Sequence, residues 1–351
     1  MSEPLLPITR WHGTITAIGL RPTAAPTART ARGLPTGPDE ILVTVGAQHA
    51  IAMLAATFVQ RGDRVLVEVP SYPHAQDALR AVGGRLVPVA VDAEAGWDVD
   101  GLEQALARSG PALAYLVPDF QNPTGCTMPA EVRARLLAGA HRQGTVVVAD
   151  ETTAELALEP GVTGPPLGVL APPGVTVLHV GSVGKTIWGG LRVGWVRGPR
   201  ALLARLASAR PARDLGTPIL EQLVVVELFP ELDEILAERA RSLTAVRDHV
   251  EAEVARRFPQ WRVPHVRGGL ATWVHLGRPV SSQLALAARR HGLVIAAGPR
   301  FGVDGAFERH LRLPITYPVD VTDAALDALE AAWEDLRERG PVPEPDLAGV
   351  L

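Results

Sequence analysis

The chain has 351 residues and a formal net charge of −4, with 38 Asp and Glu against 34 Lys and Arg. That length is enough for two domains, or one large and one small, and for a sizeable core. The slightly acidic balance offers no basic face to nucleic acid. The single cysteine, Cys126, allows neither an internal disulfide framework nor a cysteine-rich metal site.

Residues 1–39 read as an irregular segment. The stretch "RPTAAPTARTARGLPTGPDE" is dense in Pro, Thr and Gly and carries little periodicity. The opening "MSEPLLPITRWHG" lacks a basic region followed by an apolar core, so no signal peptide is expected. No apolar window reaches the length of a membrane span. A reducing, cytoplasmic setting fits these features. From Ile41 the texture changes. "ILVTV" is a short apolar run, and "GAQHAIAMLAATFVQRGD" follows it with Ile51, Leu54, Ala55, Phe58 and Val59 at helical spacing. Short apolar runs then recur: "RVLVEV", "RLVPVAV", "ALAYLV", "TVVVAD", "VTVLHV" and "LRVGWV". Most are separated by segments long enough for a helix, such as "AEVRARLLAGAHRQG". Continuous apolar strands alternating with helices predict an α/β fold with a mostly parallel sheet covered on both faces, hence three layers. Sites in such sheets lie at the carboxyl ends of the strands. Residues 200–257 turn helical, with a long charged helix leading into a smaller C-terminal α/β domain. The expected division is a large domain over 40–240, a small one over 241–340 and a loose tail over 341–351.

Five features fall where strands are expected to end. Gly46-Ala47-Gln48 opens a helix after "ILVTV", Tyr72 follows "VLVEVPS", Asn122 follows "ALAYLV", Asp150 ends "TVVVA", and Lys185 follows Gly181-Ser182-Val183-Gly184. Singly, each has a bland reading as a turn, a cap, a packing aromatic or a surface amine. Together they suit one guest, a planar, phosphorylated, protonatable ring bearing an aldehyde. The amides of residues 46–48 would hold the phosphate at a helix N-terminus, helped by Ser182 and by the forked charge of Arg192. Tyr72 would stack on the ring. Asp150 would keep the ring nitrogen protonated, Asn122 would donate to the ring's phenolic oxygen, and Lys185 would bond the aldehyde and later shuttle a proton.

The segments "VTVGAQHAI", "VEVPSYPHA", "PDFQNPTG", "VVVADE", "GSVGKTIWGGLRVGW", "GGLATWVHL" and "RHLRLPITYP", in this order, resemble the fold-type I pyridoxal-phosphate aminotransferases of class I/II. The likeness runs from about Gly33 to about Glu338. It implies pyridoxal 5′-phosphate as cofactor, transfer of an amino group between an α-amino acid and a 2-oxo acid, a place in amino-acid metabolism and a homodimer. By position it makes Lys185 the Schiff-base lysine, Asp150 the pyridinium partner, Asn122 the phenolate partner and Tyr72 the stacking aromatic. Gly46, Ala47, Gln48, Ser182 and Arg192 become phosphate ligands, and Arg312 takes the substrate α-carboxylate, with Arg309 close enough in sequence to be mistaken for it. A narrower likeness is to the aminotransferase-like domain of MocR-type regulators and to 2-aminoadipate-type aminotransferases. About forty residues precede "ILVTV", too few for those regulators' winged-helix domain, so a free-standing domain is expected, either an enzyme or a fragment of a regulator.

Three departures stand out. Where the family usually places a tyrosine shortly after the aspartate, this chain has Thr152 and Thr153, whose hydroxyls fall short of the ring. Trp188-Gly189-Gly190 replaces the usual proline-glycine, and Trp188 is expected to pack or to line the pocket; Tyr317 and the loops near Arg300 and Phe301 are further candidates for lining it. The N-terminal stretch lacks the family's "Y-G-D-P-x-G" motif. Two other readings therefore stand beside transamination. One is a ligand-sensing domain that binds the cofactor without efficient turnover. The other is a different chemistry on the same cofactor, such as β-elimination or decarboxylation.

Overall fold

The computed structural model describes residues 33–339. The expectations for residues 1–32 and for the 341–351 tail lie outside the described residues. In chain order the elements are β1 (Ile41–Thr44), α1 (Gly46–Phe58), β2 (Arg64–Val69), α2 (Pro73–Ala81), β3 (Arg85–Asp92), β4 (Gly96–Trp97), α3 (Val99–Ser109), β5 (Leu113–Leu116), α4 (Ala130–Gln143), β6 (Val146–Asp150), the short α5 (Leu167–Leu170), β7 (Val177–Ser182) and β8 (Gly194–Arg197). There follow α6 (Arg200–Ala209), α7 (Ile219–Leu228), α8 (Leu232–Arg257), β9 (Ala271–His275), α9 (Ser281–Arg290), β10 (His310–Pro314) and α10 (Val319–Arg339).

The first eight strands form one sheet in the order β1-β8-β7-β6-β5-β2-β3-β4. Pairings among β7, β6, β5, β2 and β3 are parallel. β8 runs antiparallel to both β7 and β1. Two reversals return β1 to the direction of the central strands, so its carboxyl end opens on the same edge as theirs. Alternate residues of the central strands point to opposite faces. Val65, Val67, Tyr115, Val148 and Val180 pack against Ile51, Leu54 and Leu79 from α1 and α2 and against Leu203 and Leu206 from α6. Leu66, Ala114, Leu116, Val147 and Ala149 pack against Leu102 and Leu106 of α3 and Leu136 and Leu137 of α4. Both faces are thus buried under helices, which is why these strands read as unbroken apolar runs.

The helical stretch expected over 200–257 is divided into α6, α7 and α8. Pro211, Pro218 and Pro230 sit at the breaks, each unable to donate a helical hydrogen bond. α8 carries Leu243, Val246, Val250 and Val254 into a separate core with Val274, Leu311, Leu313 and Trp333, from the two-stranded β10-β9 sheet and α10. Phe258 and Trp261 stack there with centroids 4.0 Å apart. Strand β8 begins only at Gly194, later than the run "LRVGWV" suggests. Arg192, with φ +52, closes the short 3-10 turn Gly189–Leu191 ahead of the strand, and its guanidinium donates to the Val45 carbonyl.

Candidate active site

At the common carboxyl edge lies a cavity of about 580 Å³. Nine of the ten residues singled out from the sequence line it: Ala47, Gln48, Tyr72, Asn122, Asp150, Ser182, Lys185, Arg192 and Arg312. Gly46 stands just behind the wall, where a Cβ would lie 2.8 Å from Arg192 Nη2. The edge brings them together because β1, β2, β5, β6 and β7 all end there.

The turn from β1 to α1 forms the first wall. Gly46 has φ +78, in the left-handed region that an L side chain rarely enters. Thr44 Oγ1 donates to the Gly46 carbonyl at 3.0 Å, and Arg192 Nη2 donates to the Val45 carbonyl at 3.2 Å. β8 passes so near that a Cβ on Gly194 would meet Gly46 C at 2.6 Å and Ala47 N at 2.8 Å. Ser182 Oγ donates to the Val193 carbonyl at 3.1 Å and accepts from Gly184 N at 3.0 Å. Gln48 Nε2 donates to the His74 carbonyl at 2.9 Å, tying α1 to the start of α2, where Tyr72 is the N-cap residue.

Asp150 ends β6, buried. Its Oδ2 accepts from the Tyr115 hydroxyl at 2.6 Å, and its Oδ1 accepts from Thr152 N at 2.9 Å and from the Thr152 hydroxyl. Burial pushes its carboxyl above the usual carboxylate range, and the three donors work in the opposite direction. Among the described residues no arginine or lysine is bonded to it. Lys185 opens onto the same cavity. Desolvation first, then the charges of Arg312, Arg192 and Arg239, hold its amine below the ordinary lysine value, while Asp150 opposes them. An amine shifted in this direction is more often the free base.

Asn122 is carried by the turn after β5, across a cis Asn122–Pro123 peptide. Its Oδ1 accepts from Arg312 Nε at 3.0 Å, so the amide's N–H groups face the other way. Arg312 is pushed down to about 10 by desolvation. Arg309 points elsewhere, donating to the Gly277 carbonyl from an exposed position, so the structure separates the two candidates.

Several residues that shape the site were not singled out from the sequence. Tyr115 lay inside an apolar run and read as core. Glu68, fully buried, accepts from Trp97 Nε1 at 2.9 Å, Val117 N at 3.0 Å and Gln121 Nε2 at 3.3 Å. Burial raises its carboxyl to about 8. Gln121 also donates to the Pro70 carbonyl and accepts from Thr124, so the turn presenting Asn122 is tied to the end of β2. Fully buried Arg133 holds the same turn from below, donating to Asp119 Oδ1 at 2.6 Å and to the Pro118 and Met128 carbonyls. A Glu within one apolar strand, β2, and a Tyr within another, β5, were the available signals.

The threonines that stand where a tyrosine was expected are both engaged: Thr152 with Asp150, and Thr153 with the Asp119 carbonyl at 2.9 Å. Arg300 and Phe301 line the cavity as anticipated, whereas Trp188 and Tyr317 do not. Trp188 is 66% exposed and lies over Gly190, because the loop after Lys185 turns its tip outward; Tyr317 is 55% exposed. Among the described residues no cluster of His, Cys, Asp and Glu could hold a metal ion.

The chain matches the family model for aminotransferases of class I and II over residues 13–329. A 2-aminoadipate transaminase of Thermus thermophilus is 35% identical over 286 residues, which cover 79% of this chain and 70% of that enzyme. YisV, an uncharacterized HTH-type transcriptional regulator of Bacillus subtilis, is 29% identical over 292 residues, covering 80% of this chain but only 58% of the regulator. Among solved structures, LysN, the α-aminoadipate aminotransferase of Thermus thermophilus complexed with N-(5′-phosphopyridoxyl)-L-leucine, is similar with a TM-score of 0.82. It shares 32% identity, over 89% of this chain and 82% of that one.

Proposed function

Because the chain belongs to the class I and II aminotransferases, we propose that it binds pyridoxal 5′-phosphate at the sheet-edge cavity and moves an amino group between an α-amino acid and a 2-oxo acid. The observation that carries this reading is the convergence of the Lys185 amine and the buried Asp150 carboxyl on one cavity, beside the turn that opens α1. The residues fit the cofactor. Gly46, Ala47 and Gln48 begin a helix, where N–H groups lack intrahelical acceptors, and Ser182 and Arg192 stand beside them. Gly194 leaves the space that lets the turn lie close. Tyr72 supplies an aromatic face, and Asn122, its oxygen held by Arg312, keeps its amide donors for a phenolic oxygen.

Bound there, pyridoxal phosphate supplies a carrier for the amino group and an electron sink for the substrate's α-carbon. Asp150, acceptor-only when ionised, would hold a proton on the ring nitrogen. Lys185, its amine depressed by desolvation and three arginines, would hold the cofactor covalently and is the group that would move the substrate's α-proton. Arg312 offers its remaining donors to the substrate carboxylate in fork geometry. The large domain of this reading spans 40–240 and the small one 241–340.

The exposed apolar side of α7, with Ile219, Leu220, Leu223 and Val224 and nearby Leu215, supports a homodimer. No helix of the described residues is long and apolar enough to cross a membrane. A cytoplasmic place in amino-acid metabolism fits the reading.

The test is spectroscopic. Purified protein should carry a visible absorbance band that borohydride abolishes, and Lys185→Ala should lose the borohydride-fixable attachment. Amino-acid pools should convert the cofactor to its amine form and release a 2-oxo acid. A colourless chain that takes up no cofactor refutes the assignment. A second reading, sensing without turnover, is favoured by Thr152 and Thr153, whose hydroxyls are already engaged where a cofactor-reaching tyrosine is usual. Amino-acid binding with no 2-oxo acid released marks that outcome. A 2-oxo acid released together with ammonia, or carbon dioxide, marks elimination or decarboxylation.

A further inference from the structure

We propose that His49 is a positioning residue of the anion-binding turn: its imidazole takes the Val45 N–H out of use and reserves the next three amides for the phosphate. The inference rests on the cofactor reading above. An α-helix leaves its first four N–H groups without intrahelical acceptors. In α1 these belong to the N-cap Val45 and to Gly46, Ala47 and Gln48. Val45 N donates to His49 Nδ1 at 3.0 Å, one turn along the same helix. Of the three that remain, Ala47 and Gln48 line the cavity and Gly46 stands just behind its wall.

The bond fixes the tautomer. A ring nitrogen that accepts carries no proton, so the proton of the neutral ring sits on Nε2. Nε2 lies 2.7 Å from Asp214 Oδ2, close enough to pair although off the line of a good hydrogen bond. Asp214 is itself held, its Oδ1 accepting from Arg210 Nε at 2.6 Å. Arg210 Nη1 donates to the Val43 carbonyl at 2.7 Å, and Nη2 donates to Thr217 Oγ1 at 3.0 Å. The chain of contacts leaves β1 at Val43, passes through Arg210, Asp214 and His49, and returns to the backbone two residues later at Val45. Such a closed loop holds the turn's geometry without occupying a donor that faces the cavity.

The charged groups facing the ring are Asp214, which favours its protonation, and Arg210 and Arg213, which oppose it. Burial, the largest influence, also opposes, and the net effect holds His49 below the ordinary histidine value. Protonation would set Nδ1–H against Val45 N–H, donor against donor, and release the turn. Phosphate anchoring should therefore weaken on the acid side of the His49 titration, even though the protonated ring adds positive charge.

The experiment measures dissociation constants of pyridoxal phosphate from the apoprotein at about pH 8 and in steps down through the acid range, because the His49 ring is held below the ordinary histidine value. Pyridoxal, which lacks the phosphate, serves as the control probe. His49→Leu removes the acceptor. His49→Asn places an amide oxygen near the position of Nδ1 and does not titrate. At about pH 8 the Leu variant should bind pyridoxal phosphate about tenfold more weakly, the scale of one lost hydrogen bond, and pyridoxal nearly as the native chain does. The Asn variant should bind as the native chain does at about pH 8 and show on the acid side only the weakening that protonation of the phosphate itself causes. A Leu variant as tight as the native chain overturns the inference, and so does an Asn variant that keeps the full acid weakening. If the Leu variant does not fold, the Asn result decides alone. A native chain that binds no pyridoxal phosphate overturns the proposed function and this inference with it, a result distinct from either variant outcome.

Discussion

Tyr115→Phe deletes one oxygen and nothing else from a fully buried side chain, and it should be felt at Asp150. The hydroxyl donates to Asp150 Oδ2 at 2.6 Å. Burial already holds that carboxyl above its ordinary 3.8, and the Tyr115 and Thr152 donors restrain the rise. A hydrogen bond to a charged acceptor contributes about 1.5–3 kcal/mol. Removing it disfavours the anion by that amount, and at about 1.4 kcal/mol per pH unit the carboxyl should rise by one to two units. In the proposed function activity needs the ionised form, which would hold the proton on the cofactor's ring nitrogen. The acid limb of kcat/KM should therefore move up by about one to two units, with a smaller change on the alkaline side. The stability sign follows the same logic. A carboxyl raised in the folded state keeps its proton where the unfolded chain has lost it, so its contribution falls as pH rises from 3.8 toward the folded value. The substitution extends that window upward. The assay is the pH dependence of the amino-acid half-reaction, paired with urea unfolding at several pH values. If the acid limbs of the native and Phe enzymes superimpose, Tyr115 does not tune Asp150 and the reasoning is wrong.

Gly194→Ala should weaken pyridoxal phosphate binding by about tenfold or more while sparing pyridoxal, because its Cβ would lie 2.6 Å from backbone that cannot swing aside. Equal losses for the two ligands would refute a role confined to the phosphate turn. Glu68→Gln should flatten the pH dependence of unfolding. Burial raises the native carboxyl from 4.5 to about 8, so its contribution to stability falls as pH rises through that interval, and glutamine does not titrate. Urea unfolding free energies at about pH 5.5 and about pH 8 that differ equally for both chains would remove Glu68 from the account.

Much of the fold was legible because its signals are local. Apolar runs such as "TVVVAD" and "RVLVEV" need no partner to be recognised as strands buried on both faces, and the proline at each break in 200–230 stops a helix wherever it occurs. Gly46, with φ +78, and Gly194, pressed against the turn, mark places where a side chain could not stand. That Lys185, Asp150 and Asn122 end successive strands was likewise readable along the chain. Trp188 shows the limit: an aromatic three residues beyond a candidate catalytic lysine reads equally well as pocket wall or packing, and only the outward turn of its loop puts it in solvent.

The amino-acid order by itself determined which residues stand at the ends of the strands, since that depends on hydrophobic runs and turn formers a few residues apart. Which side chains meet across those ends was decided by the tertiary structure. β5 lies beside β6 with Tyr115 opposite Val148, and this register sends the phenol along the sheet to Asp150. The loop after α6 returns to bring Arg210 and Asp214 beneath His49. Contacts between residues 35 or 167 positions apart follow from strand order and packing, which no local pattern encodes.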